Sequence, residues 1–596
     1  MIKNLTYIFL FLLNCTFVFS QCDNYLYGDV NNDNSLDIID IIIFVDVIFE
    51  NQIIDLQLAD LNFDLTTNIF DVIILIERIL DDFPYALKIN SINFDFHALE
   101  VTWEKTNDYG FSQYNLFYSN FIDNQSILLY STQQVNDTTI VINDIVLNEQ
   151  NFFWVSVVDF TGCELLGDQY IYELPFKTYE LDNNGNILNT EFSSGDFRSA
   201  EDCSGCHYDH YNEWFSSMHS YQSRSPVFFS HKEEVKELYP ATGERFCMQC
   251  HNPIAYLTGE ETSIYSNPND FQSSGLNQAI KDGITCDVCH TMTGISQSVF
   301  TEDNIAANAI YKMYPLGNIK FGPIENPEEN DFHESYYLPT YESSQMCLPC
   351  HDLVVRGVEA EITFSEWARI PGFSMFDGVS CQECHMPLKE NGYHNHKFVG
   401  VDMDLAIPPL ENPLYEDVSN LLSTAAELRF SVWNDTIPDV FVPGEILNIP
   451  LTVESLTGHN LPSGATFNRE AWIELVVKNN NQIIYSTGLI DNADMLNYSD
   501  ENLLLFSSNI YDENNNPTNF VTELHSIENF TLGAYQERFK YYDILIPENI
   551  DNEIIVTARF LFRPFKPDLI LGHHPEFINN LPIYEIDAIL QTVTIE

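Results

Sequence analysis

Hydrophobic and polar residues follow different patterns in different parts of the chain. In residues 85–178, apolar side chains recur at every second position, as at Leu99, Val101 and Trp103, and turn residues follow about every ten positions. This alternation predicts the strands of a β-sandwich. Residues 426–596 also contain strand-like runs, at 446–453, 471–477 and 554–562. We therefore expect a second β-sandwich at the C-terminal end, and a multidomain chain overall.

Two nearly continuous apolar runs lie near the N-terminus, each directly after a loop rich in Asp and Asn. The runs cover 38–49 and 72–80, and the first contains Asp40 and Asp46. Runs of this length with internal charges indicate packed helices, because a membrane span needs about 20 apolar residues. They predict a small α module over 23–82.

Residues 1–20 have the features of a secretory signal peptide. Lys3 supplies the positive end, Ile8–Phe19 forms a short apolar core, and Ser20 is a small residue at the cleavage position. No later apolar run reaches the length of a membrane span without a charge. We expect a mature chain without a transmembrane segment, located in the periplasm, at the cell surface or outside the cell. Lipid attachment at Cys22 is an alternative, although Gln21 precedes it.

The chain is strongly acidic, with 88 Asp and Glu against 25 Lys and Arg and a formal net charge of −63. Nucleic acid is therefore excluded as an expected partner, because phosphate backbones are bound through basic patches. The charge also disfavours docking onto anionic membranes. Solubility is the simplest consequence of such acidity.

Ten of the thirteen cysteines form five CxxCH motifs, numbered 1 to 5 here in chain order. This motif is typical of covalent haem c attachment, in which two thiols bond the haem and the histidine becomes the proximal iron ligand. Zinc is the alternative, but a zinc site would not need His after every second Cys. Cys15 lies in the predicted signal peptide, and the remaining Cys22 and Cys163 could form a disulfide. The motifs predict five covalently bound haem c groups at Cys203/Cys206/His207, Cys247/Cys250/His251, Cys286/Cys289/His290, Cys347/Cys350/His351 and Cys381/Cys384/His385.

The loops before the two N-terminal helices repeat a twelve-residue pattern of oxygen ligands. Oxygen-bearing side chains occupy positions 1, 3, 5, 9 and 12, and position 7 offers its carbonyl, which is calcium-loop spacing. Asx-rich helix caps are the alternative. Position 6, usually Gly, is Asn34 in the first loop and Leu65 in the second; a left-handed Leu costs about 1–2 kcal/mol, so the second site is the weaker. The predicted ligands of one or two Ca²⁺ ions are Asp29, Asn31, Asp33, Ser35, Asp37 and Asp40, and then Asp60, Asn62, Asp64, Thr66, Asn68 and Asp71.

Both paired loops end in Asp rather than Glu, and in this the segment 23–82 resembles a dockerin. The resemblance implies a cohesin-like partner and the anchoring of a secreted protein. The strand with Trp103 and the run Phe152–Asp159 resemble a fibronectin type III module over 85–178. That resemblance implies a spacer or binding role without chemistry. A linker rich in Asn, Gly and Ser follows within 179–197.

The haem region, 198–404, leaves about 40 residues for each motif, too few for an ordinary side-chain core, so the porphyrins must pack closely. Each iron that only transfers electrons needs a second axial ligand. His219 lies about 18 Å from His207 along a helix, whereas two nitrogens on one iron are about 4 Å apart. His219 must therefore serve another haem. His394 and His396 are two residues apart, so we expect only one of them to ligate.

Several segments of this region carry a family resemblance: the pattern Cys-His-x3-Tyr-x2-Trp-x3-Met-His at 206–219, Gly283–His290, Thr363–Trp367, Gly378–Pro387 and His396–Phe398. They resemble the multihaem cytochromes related to the tetrahaem cytochrome of nitrifying bacteria and to hydroxylamine oxidoreductase. The resemblance implies a mainly α domain with closely stacked, bis-histidine haems. By resemblance and position, the predicted distal ligands are His219, His333, His396 and His459, with His231 as a weaker fifth.

The sequence predicts an extracytoplasmic electron-transfer protein that exchanges electrons with redox partner proteins. One alternative is an oxidoreductase in which one haem stays open for a small nitrogen or sulfur compound. Another is an adhesion or scaffold protein built on the dockerin-like and sandwich modules. No CxxCK motif is present, so the sequence lacks the lysine-ligated haem of pentahaem nitrite reductases. An electron-transfer protein should have a second imidazole facing each proximal histidine. An oxidoreductase with an open haem should have one proximal histidine without a facing imidazole.

Overall fold

The computed structural model describes residues 27–596 except for 34, 51–55, 63, 81–85, 95–97, 108–109, 120–125, 144, 146, 148–149, 160–161, 163, 174–176, 178, 182–186, 239–244, 296–310, 314–318, 329, 372–377, 491–494 and 551. The side chains of 56, 57, 77, 78, 150, 181, 238, 246, 294, 295, 311–313 and 522 are not described either. The predicted signal peptide, Cys22, Asn34 and Cys163 lie outside the described residues. The chain divides into two compact units, Met1–Pro175 and Phe176–Glu596.

The first unit begins with a small helical module. Its helices are α1 (Ile38–Glu50), α2 (Leu56–Ala59) and α3 (Ile69–Leu80). Phe44 of α1 is buried in one cluster with Val72 and Leu75 of α3, and Ile41 and Ile48 of α1 pack against it. The spacing of three or four residues keeps the apolar side chains on one face of each helix, so the two helices share one core.

Eight strands follow in the first unit, and they form two antiparallel sheets with orders β1-β2-β5 and β4-β3-β6-β7, with β8 beside β6. Leu99, Val101 and Trp103 of β2 are buried and alternate with more exposed residues, as the sequence pattern predicts. The Trp103 ring meets Tyr114 of the other sheet edge-on at 5.8 Å, so the core lies between the sheets. The strands are β1 (Ile89–Phe94), β2 (Ala98–Trp103), β3 (Phe111–Ser119), β4 (Ile127–Thr132), β5 (Thr139–Asn143), β6 (Gln150–Asp159), β7 (Glu164–Leu166) and β8 (Tyr170–Glu173).

The second unit opens with the short hairpin β9 (Tyr179–Leu181) and β10 (Ile187–Thr190), followed by a run of short helices around motifs 1 to 3. Several of these helices start at side-chain caps: the Ser199 hydroxyl accepts from the Asp202 amide, and Thr285 caps the helix of motif 3. The helices are α4 (Ala200–Ser204), α5 (Tyr208–Ser216), α6 (Met218–Tyr221), α7 (Pro226–Leu238), α8 (Arg245–His251), α9 (Pro253–Thr258), α10 (Pro268–Gln272), α11 (Gln278–Lys281) and α12 (Cys286–His290).

The remainder of the haem region departs from the mainly α expectation. In its described residues, the α-helices are the short α13 (Thr363–Ala368) and α14 (Cys381–His385), and three strand pairs accompany them. The pairs are β11 (Met292–Ile295) with β12 (Tyr311–Met313), the parallel β13 (Ile319–Gly322) with β14 (Glu334–Tyr337), and β15 (Leu353–Val355) with β16 (Val358–Glu361).

The C-terminal part is dominated by two larger sheets, in the orders β17-β21-β28 and β20-β30-β29-β22-β23, with β24 paired to β22; β25, β26 and β27 form a third, and β18 pairs with β19. Buried residues of both large sheets and of α15 form one core. Among the described residues, no helix is long and apolar enough to cross a membrane. The elements are α15 (Tyr415–Leu422), α16 (Pro567–His573), β17 (Ala426–Arg429), β18 (Ser431–Val432), β19 (Asp435–Thr436), β20 (Val440–Phe441), β21 (Ile446–Ser455), β22 (Glu470–Asn479), β23 (Gln482–Thr487), β24 (Leu505–Phe506), β25 (Ser508–Tyr511), β26 (Pro517–Thr518), β27 (Ser526–Asn529), β28 (Glu537–Leu545), β29 (Glu553–Arg563) and β30 (Tyr584–Ile595).

Candidate haem sites and calcium loops

Four of the five motif histidines face a second imidazole at nearly the same separation. Two metal–nitrogen bonds of about 2 Å, each followed by about 1.1 Å from nitrogen to ring centre, put the centroids of two imidazoles on one iron roughly 6.2 Å apart. The measured centroid separations are 6.3 Å or 6.4 Å in all four pairs, which fits an iron between the rings. The pairs are His207 with His333, His219 with His351, His290 with His396, and His385 with His459.

Backbone carbonyls hold several of these imidazoles by one nitrogen. Nδ1 of His290 lies 2.7 Å from the Phe321 carbonyl, and Nδ1 of His385 lies 2.6 Å from that of Val399. Nδ1 of His459 is 2.8 Å from the Asn460 carbonyl. A carbonyl can only accept, so Nδ1 carries the proton and Nε2 keeps its lone pair for a metal. The tautomer therefore fits iron ligation.

Burial keeps these imidazoles neutral, which is the form that binds iron. It lowers the pKa of His219 to about 3, with further contributions from His351 and His396. Burial likewise lowers the pKa of His351 to about 4. By accessible surface His207 and His351 are exposed, and their partners His333 and His219 are half-buried.

Motif 2 has different surroundings. The ring of Phe228 stacks on His251 with centroids 4.6 Å apart, and Nδ1 of His251 lies 2.7 Å from Oε1 of Gln222. Among the residues that the structure describes, no imidazole stands at 6.3–6.4 Å from His251. The ring of His231, the weaker fifth candidate, lies 5.6 Å from the rings of His573 and Phe520, and after burial His231 contributes to lowering the pKa of His251.

The motif cysteines lie against one another, and this gives the order of the motifs in space. A hydrogen bond with Cys286 lowers the pKa of Cys203, so motif 1 adjoins motif 3. A hydrogen bond with Cys350 and burial raise the pKa of Cys250, which joins motif 2 to motif 4.

Motif 4 also contacts its other neighbours. A hydrogen bond with Cys381 raises the pKa of Cys347, which joins motif 4 to motif 5. Burial and then Cys350 raise the pKa of Cys289 to about 12, which brings motif 3 beside motif 4. The motifs form the row 1-3-4-5, with motif 2 beside motif 4.

Two glutamates that the sequence analysis did not single out accept hydrogen bonds from the segments that carry the predicted distal ligands His396 and His459. Glu213 of α5 accepts from the His396 amide, and Glu366 of α13 accepts from the Asn460 amide beside His459. Both lie inside segments that carry the family resemblance, so those motifs offered a signal. Nδ1 of His394, two residues before His396, lies 2.5 Å from the Met386 carbonyl. The His394 ring faces no motif histidine at 6.3–6.4 Å.

Both predicted calcium loops close around their first and last aspartates, and Asp29, Asp40, Asp60 and Asp71 are buried. In the second loop, Asp71 accepts from the Leu61 amide at 2.7 Å and from the Asn68 amide at 2.7 Å, so position 12 ties both ends of the loop. Leu65 has φ of 68°, the left-handed conformation expected at position 6.

Other ligand side chains of both loops bond locally. Asn31 and Asn62 donate to Asp33 and Asp64, and the Thr66 hydroxyl donates to Asp64. Asp37 and Asn68 accept amides of the following helix at Ile39 and Phe70. The Ser35 amide donates to Asp33 at 2.9 Å. Among the described residues, no group of three or more His, Cys, Asp or Glu side chains is preformed for a metal. A calcium loop that also uses amide, hydroxyl and carbonyl oxygens does not require such a group.

Comparisons with known proteins concern the haem region first. Residues 202–291 match the family model of cytochrome c554 and c-prime. A penta-heme cytochrome c552 from Thermochromatium tepidum is 18% identical and aligns over 67% of this chain and 99% of its own, with a TM-score of 0.48. A Fn3-like protein from Clostridium thermocellum is 16% identical over 16% of this chain and 99% of its own, with a TM-score of 0.13. Comparison with curated proteins gave no significant match. The family match spans three of the five CxxCH motifs, and the chain contains a multihaem c-type cytochrome region.

Proposed function

We propose that the protein is an extracytoplasmic pentahaem c-type cytochrome that carries electrons between redox partner proteins. The observation that carries the proposal is the set of four imidazole pairs at 6.3–6.4 Å, each containing one CxxCH histidine. Two imidazoles per iron leave no site for substrate, so such haems exchange electrons and do not bind small molecules. A haem c group supplies the one-electron iron couple, and the chain supplies ligands, burial and spacing.

The order of the motifs supports a continuous path. The contacts between their cysteines give the row 1-3-4-5, and closely packed haems along such a row pass electrons in short steps. The first and last motifs contain exposed cysteines, Cys206 and Cys384. Electrons therefore enter and leave at the two ends of the row. The net charge of −63 favours positively charged partners at both ends.

The N-terminal features supply location and anchoring in this proposal. The signal-peptide pattern of residues 1–20 directs the chain out of the cytoplasm. Haem c is attached after this export. The paired loops would bind one or two Ca²⁺ ions through the ligands named above, and the dockerin-like module would then hold the cytochrome on a cohesin-like partner. The buried Asp40 and Asp71 support this role, because each closes its loop.

The test is the spin state of the purified protein. Mass spectrometry should find five haem groups on the chain, and magnetic circular dichroism should find four low-spin bis-histidine haems. Replacing a proximal ligand such as His290 with alanine should remove one of the four signals. A protein with zinc in the CxxCH motifs, or with fewer than four bis-histidine haems, would contradict the proposal.

Motif 2 supports a second candidate function, that of an oxidoreductase with one open haem. The observation is that His251 contacts Phe228 and Gln222 and has no facing imidazole among the described residues. An iron with a free axial position could bind a small nitrogen or sulfur compound.

Carbon monoxide, nitrite and hydroxylamine are the probes for this candidate. About one carbon monoxide bound per wild-type protein would support an open haem. If wild type binds none and the His231→Ala variant binds about one, His231 is the fifth distal ligand and the second function is wrong.

A further inference from the structure

His396 and His459, two of the proposed distal ligands, lie in segments that no long helix or sheet ladder fixes. His396 follows the turn at residues 389–394, and His459 lies in the loop between β21 and β22. By contrast, His219 stands on α6, where backbone bonds set its position. An imidazole must hold its nitrogen near 2 Å from the metal, so a loop-borne ligand needs another support.

Glu213 supports the His396 segment at two points. Its Oε2 accepts from the His396 backbone amide at 3.0 Å, and its Oε1 pairs with Nζ of Lys389 at 2.7 Å. The side chain of Glu213 is 16% exposed and that of Lys389 is 24% exposed. Charge-assisted hydrogen bonds of this kind are short and about twice as strong as neutral ones. Glu213 thereby ties both ends of the turn to α5, which begins directly after motif 1.

Glu366 does the same for the His459 loop. Its Oε2 accepts from the Asn460 amide at 3.1 Å and from the Ser463 hydroxyl at 2.6 Å, and its Oε1 accepts from the Asn460 side chain at 2.8 Å. Glu366 is buried on α13, within the haem region. Three hydrogen bonds to one buried carboxylate fix a loop that belongs to the C-terminal sheets.

We propose that Glu213 and Glu366 are positioning residues, each fastening one loop-borne distal histidine in place: Glu213 sets His396 against His290, and Glu366 sets His459 against His385. The two carboxylates touch backbone or neighbouring side chains of the ligand segment and do not touch the iron. This inference rests on the proposed bis-histidine ligation. The two supports stand on different helices and hold different segments, so each acts on one haem.

The test measures carbon monoxide binding and low-spin signals in the complete haem-loaded protein. Glu213→Ala should convert one haem to high spin and raise carbon monoxide binding by about one equivalent per protein, with the spectrum of the His396→Ala variant. Glu366→Ala should do the same with the spectrum of His459→Ala. The double variant should gain about two equivalents, because the supports are independent.

Conservative variants separate positioning from folding. Glu213→Gln keeps an oxygen for the His396 amide and loses the ion pair, so its effect should be smaller than that of Glu213→Ala. Lys389→Met should lower the low-spin signal of the same haem as Glu213→Ala without altering α5. Asn460→Ala should lower the low-spin signal of the same haem as Glu366→Ala. Added imidazole should restore the low-spin signal of each alanine variant.

The matched controls are Glu390→Gln, on the exposed part of the same turn, and Glu359→Gln, whose carboxylate pairs with Arg369 near α13. Both should keep the wild-type signals. Wild-type signals in Glu213→Ala and Glu366→Ala would overturn the inference, and so would an equal loss in all haems. A wild-type protein that lacks the bis-histidine haems would instead refute the proposed function. If an alanine variant fails to fold, Lys389→Met and Asn460→Ala decide the outcome.

Discussion

Replacing His219 with alanine is expected to interrupt electron transfer at the centre of the row. His219 is half-buried, its ring lies 6.3 Å from that of His351, and Phe398 packs on it at 4.5 Å. Motif 4, which contains His351, adjoins motifs 2, 3 and 5 through its cysteines. The substitution therefore removes a ligand from a haem that lies between the two ends of the row and also beside motif 2.

The magnitude follows from the number of imidazole pairs. One of four low-spin haems is lost, so the bis-histidine signal should fall by roughly one quarter. Loss of one imidazole should also shift the potential of that haem by on the order of 0.1 V, a fraction of the roughly 0.8 V that axial ligands span. The vacated space is about one aromatic ring, and deletions of that size cost about 3–5 kcal/mol in a core, so the thermal midpoint should fall as well.

The assay compares rapid reduction kinetics of the His219→Ala and His333→Ala variants. Both lose one low-spin haem, but His333 pairs with His207 of motif 1, at one end of the row. After reduction by a small reagent, the His219 variant should show slow equilibration between haems, whereas His333→Ala should equilibrate like wild type among its remaining low-spin haems. Equal kinetics in both variants, or a full low-spin signal without His219, would refute the order of motifs derived from the cysteine contacts.

Three further predictions address other parts of the chain. Calcium removal should increase amide hydrogen exchange within residues 27–80 and leave the haem absorption bands unchanged. Asp40→Ala should have the same effect, because Asp40 closes the first loop. A shift of the haem bands would contradict separate modules. Arg563→Met should lower the free energy of unfolding, measured by denaturant titration, by about 3–5 kcal/mol, because it leaves the fully buried Glu470 without its cation. The double variant with Glu470→Gln should recover much of this loss. Because the chain carries a net charge of −63, a cationic ruthenium reductant should reduce the protein about tenfold or more faster at low salt than an anionic reductant of similar potential. The difference in rate should shrink as salt is added. Rates that do not depend on salt would contradict steering by the acidic surface.

Local features of this protein can be predicted from its sequence alone. A CxxCH motif needs one helical turn, and residues such as Cys286–His290 adopt it wherever the turn lies in the fold. The calcium-loop pattern is also local, because Asp71 closes its loop on the amides of Leu61 and Asn68 within eleven residues of chain. The alternating run around Trp103 likewise lies on a strand, since burial on one face sets a period of two.

The partner of each proximal histidine is decided only by the tertiary structure. The rings of His207 and His333 are stacked at 6.3 Å, whereas the ring of His210, three residues further along the chain, meets that of His207 edge-on at 6.0 Å. Only a segment distant in sequence can reach the other side of a porphyrin. The same holds for Glu366 and Asn460, whose hydrogen bond joins α13 to a loop of the C-terminal sheets. A sequence shows which residue types suit iron, but packing of separate segments decides which two imidazoles meet. The stacking of Phe228 on His251 likewise joins two different helices, and no local pattern encodes it.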